Sequence, residues 1–307
     1  MTRRYHGTML QVATFAIPSA RIECMRNCSR LLLLPIIVSV SGFAQTLPAF
    51  KHVFIVVEEN HSYSSVIGKP SMPYLNSLAT TYGLATQYYA NTHPTPANYF
   101  MLTTGQVNPA KQGGVVTADN VVRHLLTAGK TWKAYEESLP YAGYIKPDVG
   151  LYKRHFCPLS YFSDVVNSKV QILNLVPFPQ FATDLASGNF PDYSFITPNM
   201  CNDAHNCSLA TADAWLQTNI APLIQSSTFQ DGGLLIITFD ESFDSDKTHG
   251  GGRVAWVAVS PQFSKTGYRS TTLYQHQNTL RLMMEGLGLT SYPGAAQSAA
   301  NMAEFFK

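Results

Sequence analysis

Short apolar runs that end in acidic, amide or hydroxyl residues recur along this chain, separated by stretches with helical spacing. Residues 52–57 (HVFIVV), 84–90, 192–197 (DYSFIT), 234–239 (LLIITF) and 254–259 (VAWVAV) read as strands, and 132–135 as an extended segment. Unbroken apolar character, instead of strict alternation, is what a strand buried on both faces requires. Residues 72–82, 98–104, 120–128, 181–187, 210–225 and 275–286 carry apolar side chains at helical spacing. Strands interleaved with helices predict an α/β fold: a mainly parallel central sheet with helices on both faces. In such sheets ligands sit beyond the carboxyl ends of the strands, so the residues that follow each strand carry the functional reading.

Four strands end in chemistry. The first runs into Glu58-Glu59-Asn60-His61, the second into Asn91-Thr92-His93-Pro94-Thr95-Pro96-Ala97-Asn98. A third is followed by Pro198-Asn199-Met200-Cys201-Asn202-Asp203-Ala204-His205, and a fourth by Asp240-Glu241. Hard oxygen donors gathered on one sheet edge suit a divalent cation, which also relieves carboxylate repulsion. Each piece alone has a plainer reading. Acidic residues after a strand serve as helix N-caps, and Thr95 before Pro96 fits an N-cap with proline in the first helical position. The four ends together point to a site.

The charged fraction is 13%, about half of the roughly 25% usual in soluble domains. With 45% hydrophobic residues, 17 Phe, 16 Tyr and 3 Trp, the chain is neither disordered nor a coiled coil. Its 307 residues allow one large domain or two modest ones. Residues 31–43 (LLLLPIIVSVSGF) follow a basic segment and precede small residues, the layout of a secretory signal cleaved after Ala44. Residues 1–44 are therefore expected to be a leader, with Met25 as the better start, and 45–307 a single catalytic domain exported to the periplasm or medium. Removing the leader turns the formal charge from +2 to −2, with 16 Lys and Arg against 18 Asp and Glu, which argues against a nucleic-acid partner. No later stretch is apolar for long enough to span a bilayer. Of the remaining cysteines, Cys201 and Cys207 could close a small loop in an oxidising compartment and leave Cys157 over. A zinc site built from the three is the rival.

The order of motifs resembles the phosphoesterase family, which holds bacterial phospholipases C and bacterial and fungal acid phosphatases. Glu58-Glu59-Asn60-His61, residues 72–79 (MPYLNSLA) and 93–99 (HPTPANY) carry the first half of the resemblance. Tyr152-Lys153-Arg154-His155, residues 197–205 (TPNMCNDAH), Thr238-Phe239-Asp240-Glu241 and His276 carry the second. The likeness spans roughly residues 50–290. It implies an alkaline-phosphatase-like fold, with Thr95 as nucleophile and Asn98 as donor to a phosphoryl oxygen. It also implies that Glu59, Asn60, Asp240, Glu241 and Thr95 hold a divalent metal ion. His155, Asp203, His205 and His249 would line the phosphate pocket or complete a second metal site.

Elementary chemistry supports those roles. A threonine hydroxyl becomes a nucleophile at neutral pH only when a base or metal removes its proton. The start of a helix favours a phosphate, and imidazoles can protonate a leaving alkoxide. The donor set suits Mg²⁺, Ca²⁺ or Mn²⁺, and neighbouring histidines admit Zn²⁺. The sequence departs from the family in Glu-Asn-His-Ser-Tyr at 59–63 and in Phe156-Cys157 after His155. His249, inside a glycine-rich turn, reads equally as a ligand or a solvated loop residue, whereas His52, His61 and His124 read as structural. No added β domain follows the last helix, which favours phosphate monoesters over phospholipids as substrates. Motifs of serine esterases, P-loop enzymes, dinucleotide-binding folds and zincins are missing, and a threonine stands where a sulfatase needs Cys or Ser. A non-catalytic exported protein that captures phosphate or a glycan remains the alternative from another class.

Overall fold

Eight strands form one sheet in the computed structural model, which describes residues 47–306 except Gln112. The leader expected over residues 1–44, with its start at Met25 and cleavage after Ala44, lies outside the described residues. The strands are β1 (His52–Glu58), β2 (Gly83–Tyr89), β3 (Trp132–Glu136), β4 (Leu175–Pro177), β5 (Tyr193–Thr197), β6 (Gly233–Phe239), β7 (Trp256–Val259) and β8 (Tyr268–Gln275). Their order across the sheet is β4-β3-β5-β1-β6-β7-β2-β8. All neighbours are parallel except β7, which runs antiparallel to both β6 and β2. Because β7 reverses twice, the carboxyl ends of β1, β5, β6 and β2 share one edge.

The helices are α1 (Tyr63–Val66), α2 (Pro73–Thr81), α3 (Pro96–Thr104), α4 (Val121–Thr127), α5 (Ser163–Val166), α6 (Pro179–Ser187), α7 (Leu209–Gln225), α8 (Ser227–Gln230) and α9 (His276–Gly286). Helix α3 packs on α9, and α2 packs on α7. Strand β6 is buried along its whole length and β1 from Val53 onward, so the central strands are covered on both faces. No helix among the described residues is long and apolar enough to cross a membrane.

Every strand and helix expected from the pattern is present, with ends shifted by one or two residues. Two strands escape the pattern. β8 is largely exposed along YRSTTLYQ, and β4 is only three residues long and ends in proline. Both lie at sheet edges, where apolar continuity is not needed and a missing N–H is tolerated. The antiparallel sense of β7 also could not be read from VAWVAV, because a strand buried on both faces is apolar in either direction.

Candidate functional site

Strand β1 delivers Glu59 and Asn60 just past its last residue, and β6 delivers Asp240 and Glu241 beside them. The in-register pairing of Glu58 with Phe239 sets the two ends level, and Asp240 N donates to the Glu58 carbonyl at 2.9 Å. Asn60 then turns with φ 48°, a left-handed conformation that asparagine tolerates better than most residues. In that turn its backbone N–H donates to Asp240 Oδ1 at 3.0 Å. Glu59 N donates to the Asp203 carbonyl at 2.8 Å, which fastens the loop after β5 to the same edge.

Thr95 stands at the start of α3 with Pro96 in the first helical position, as its sequence predicts. Its side chain does not cap the helix. The hydroxyl points instead into the carboxylates, at 3.0 Å from Glu241 Oε1 and 3.3 Å from Glu59 Oε2. Asn98 Nδ2 donates to Glu241 Oε2 at 3.2 Å and to the Thr92 carbonyl at 2.8 Å, while its Oδ1 accepts from Asn91 N and Thr92 N. Asn98 therefore ties the turn after β2 to Glu241. The first N–H groups of α3 are also engaged, since Ala97 N and Asn98 N bond the Pro94 and Thr95 carbonyls.

Glu59, Asp203, Asp240 and Glu241 are all buried, and Glu59 Oε1, Asp203 Oδ2 and Asp240 Oδ2 have no hydrogen bond of good geometry among the described residues. Burial is the main reason that all four carboxyls sit above their ordinary range, Asp203 at about 7. Repulsion from Asp240 adds to the rise at Glu59, and repulsion from Glu241 adds to that at Asp240. Buried carboxylates normally have partners. Unpartnered buried carboxyl oxygens are what a divalent cation satisfies, and among the described residues the side chains whose donor atoms come within 4.8 Å of one another are His93, Glu241 and Asp244. Asn60 Oδ1 is likewise buried and without a hydrogen-bond partner among the described residues.

The other expected residues lie farther out. His155 is half-buried, with its ring against Phe156 at 4.5 Å, and lines a cleft together with Pro94 and Pro96. Burial holds its imidazole below the ordinary range; Asp148 opposes this, and Lys153 and His205 reinforce it. His205 is exposed; its backbone N–H donates to Asp203 Oδ1 at 2.8 Å and its ring meets Asn206. His249 is exposed at φ 54°, with its ring edge-on to Tyr89 at 4.4 Å.

Two histidines do more than their sequence disclosed. His93 Nδ1 lies 3.1 Å from Glu241 Oε2 and 3.5 Å from Asp244 Oδ1, and the three side chains bring one donor atom each within 4.8 Å of one another. It stood in the quoted turn two residues before Thr95, which was the available signal. His276, fully buried, donates from Nε2 to the Asp240 carbonyl at 2.6 Å and accepts from the Tyr88 hydroxyl at Nδ1. Burial pushes its pKa down to about 4, so it buttresses Asp240 as a neutral ring.

Cys201 and Cys207 form a disulfide with 4.7 Å between Cα atoms, and Cys157 is buried and free, so the three do not share a zinc ion. The bridge closes the loop that carries Asp203 and His205. The Glu137 carboxylate anchors the same loop by accepting from Asn199 N, Asn202 Nδ2 and Trp215 Nε1.

The fold is alkaline-phosphatase-like. It matches the crystal structure of a protein in the alkaline phosphatase superfamily from Vibrio parahaemolyticus with a TM-score of 0.56 at 13% identity, over 85% of this chain and 73% of that one. The chain belongs to the phosphoesterase family, whose model matches residues 69–290. It is 35% identical over 252 residues to a phosphatidylinositol-3-phosphatase of Mycobacterium tuberculosis, covering 80% of each. It is 30% identical over 267 residues to an acid phosphatase of Aspergillus fumigatus, covering 83% of this chain but only 59% of that relative.

Proposed function

We propose that the chain is an exported phosphoester hydrolase that acts on phosphate monoesters through a covalent phosphothreonine at Thr95, with residues 45–307 as one catalytic domain behind a leader. One observation carries the reading. Thr95 is half-buried, and its hydroxyl donates into buried carboxylates at the edge where a doubly wound sheet places its chemistry. Names of the family's acid phosphatases and of the mycobacterial lipid phosphatase agree with it.

In this reading Glu241, whose Oε1 is the nearer acceptor at 3.0 Å, takes the proton of the Thr95 hydroxyl, and the oxygen attacks phosphorus in line with the leaving group. The new Thr95 O–P bond forms as the P–O bond to the alcohol breaks. His155, in the cleft beside Pro94 and Pro96, gives its proton to the departing alkoxide. Water then cleaves the phosphothreonine, returning Thr95 and releasing phosphate. Asn98 holds Glu241 against the nucleophile, and His276 holds the Asp240 backbone from behind. Glu59, Asn60, Asp240 and Glu241 would hold a divalent cation, Mg²⁺, Ca²⁺, Mn²⁺ or Zn²⁺, which when bound favours the deprotonated hydroxyl and offsets phosphate charge.

A phosphate carried on a lipid headgroup is the second reading, favoured by the mycobacterial relative's name and by its coverage of 80% of each chain. The test is hydrolysis of p-nitrophenyl phosphate by the purified chain and by Thr95→Ala, with and without chelator. Turnover that vanishes in Thr95→Ala and on chelation is expected. Full activity in Thr95→Ala ends the covalent mechanism. Silence of the wild type toward monoesters and phospholipids alike, with each cation restored, leaves a phosphate-binding protein.

A further inference from the structure

A cleft of about 550 Å³ beside Thr95 is lined by the start of α3, by residues 107–111 and Gly113, and by His155 and Tyr161. Pro94 and Pro96, the two chain neighbours of Thr95, both line it. Phe100, one helical turn on, joins Val107 and Tyr161 to form its sides. The Phe100 and Tyr161 rings meet edge to face at 5.8 Å, and the Arg154 guanidinium lies over Tyr161 at 4.2 Å. The aromatic wall is thus held from two directions. Arg154 is itself fixed, because its Nη2 donates to the Ser160 carbonyl at 2.7 Å and its Nε to Ser160 Oγ at 3.2 Å.

We infer that this cleft is a leaving-group subsite for an apolar, ring-sized alcohol, which makes aryl or comparably apolar phosphate monoesters the preferred substrates. The inference rests on the reading of Thr95 as nucleophile, because that reading fixes which way the leaving group points. In-line displacement puts the leaving oxygen on the far side of phosphorus from Thr95 Oγ, away from the carboxylates that hold the hydroxyl, and this cleft adjoins Thr95 through Pro94, Pro96 and Ala97. The volume falls within the range usual for small-molecule sites, about 300–1,000 Å³, and is far larger than a methyl or glycerol group needs. No carboxylate is among the described lining residues, so an uncharged ring entering the cleft displaces water from proline, aliphatic and aromatic surface without desolvating an anion. His155 lines the same cleft, which puts the proton donor on the side where the alkoxide departs.

The experiment measures binding, not turnover. Benzylphosphonate and methylphosphonate, which the enzyme cannot hydrolyse, are titrated calorimetrically into the full chain with each of Mg²⁺, Ca²⁺, Mn²⁺ and Zn²⁺. Burial of one phenyl ring predicts benzylphosphonate to bind tighter by about tenfold or more. Phe100→Ala removes a wall, and Ala110→Glu, a loop change outside the sheet, places an anion in the cleft. Each is expected to bring the two affinities together. Equal affinities in the wild type, an unchanged preference in both variants, or failure of both phosphonates to bind overturns the subsite. Hydrolysis of p-nitrophenyl phosphate without an aryl preference removes the cleft and leaves the phosphatase. An aryl preference without hydrolysis removes the phosphatase and leaves the cleft.

Discussion

The Thr95 hydroxyl donates to Glu241 Oε1 at 3.0 Å, and the other oxygen of that carboxylate faces His93 Nδ1 at 3.1 Å. One buried side chain therefore links the Thr95 hydroxyl to an imidazole on the preceding turn. Two substitutions separate its roles. Glu241→Gln keeps the shape and removes the charge that would accept the Thr95 proton, so with the cation held saturating kcat is expected to fall by about 100-fold or more. His93→Asn leaves the base in place but takes a donor from the grouping with Glu241 and Asp244. Its cation affinity, followed by Mn²⁺ or Zn²⁺ titration, is expected to drop by about 10- to 100-fold, with activity recovered at high cation concentration. Unchanged kcat in Glu241→Gln would take the carboxylate out of the chemistry.

The Cys201–Cys207 bridge and the Glu137 carboxylate hold the same loop by different means. The bridge spans a sequence separation of six, and chain-entropy arguments put its loss at about 2 kcal/mol of stability. Asp203 stays fastened without it, because its carbonyl still receives Glu59 N and Glu137 still holds Asn199 and Asn202. The double variant Cys201→Ser, Cys207→Ser is therefore expected to lose stability in urea while kcat falls by less than about tenfold. Glu137→Ala keeps the bridge, takes the acceptor from Asn199 N and Asn202 Nδ2 in the loop and from Trp215 on α7, and is expected to lose more activity. The reverse ranking of the two variants in steady-state kinetics would make the disulfide, not Glu137, the element that positions Asp203.

The sheet edge was legible in the sequence because buried parallel strands must be apolar throughout, which makes the polar residues that follow them conspicuous. Glu59, Asn60, Asp240 and Glu241 sit together for that reason, and Thr95 is placed by the proline that starts α3. Periodicity says nothing of contacts made across the chain. His93 looks like any residue of a proline-rich turn until the fold brings Glu241 and Asp244 to it. His276 shows its role only once Tyr88 and the Asp240 carbonyl close on either side. His205 and His249 could be listed with the site from their loops alone, but the rings point to Asn206 and Tyr89. The choice between a disulfide and a zinc site required the distance between Cys201 and Cys207, which spacing alone does not supply.

Glu136 closes β3 and is 1% exposed, yet it lies outside the carboxylate ring. Its Oε1 accepts from Thr197 Oγ1 at 3.1 Å, and burial pushes its pKa up to about 8, against contributions from Cys157 and Thr197. The folded chain thus keeps a proton that the unfolded chain releases near pH 4.5. Its stability contribution is fully present below that pH and is lost as pH rises toward 8, at up to about 1.4 kcal/mol per unit. Glu136→Gln cannot ionise, and its amide oxygen can still accept from Thr197. The variant is expected to match the wild type near pH 4.5 and to exceed it by on the order of 2–3 kcal/mol at pH 7. Urea denaturation of both proteins across that interval reads the difference directly. Parallel stability curves would mean that Glu136 is ionised in the folded chain and that its charge is balanced by a group other than Thr197 and Cys157.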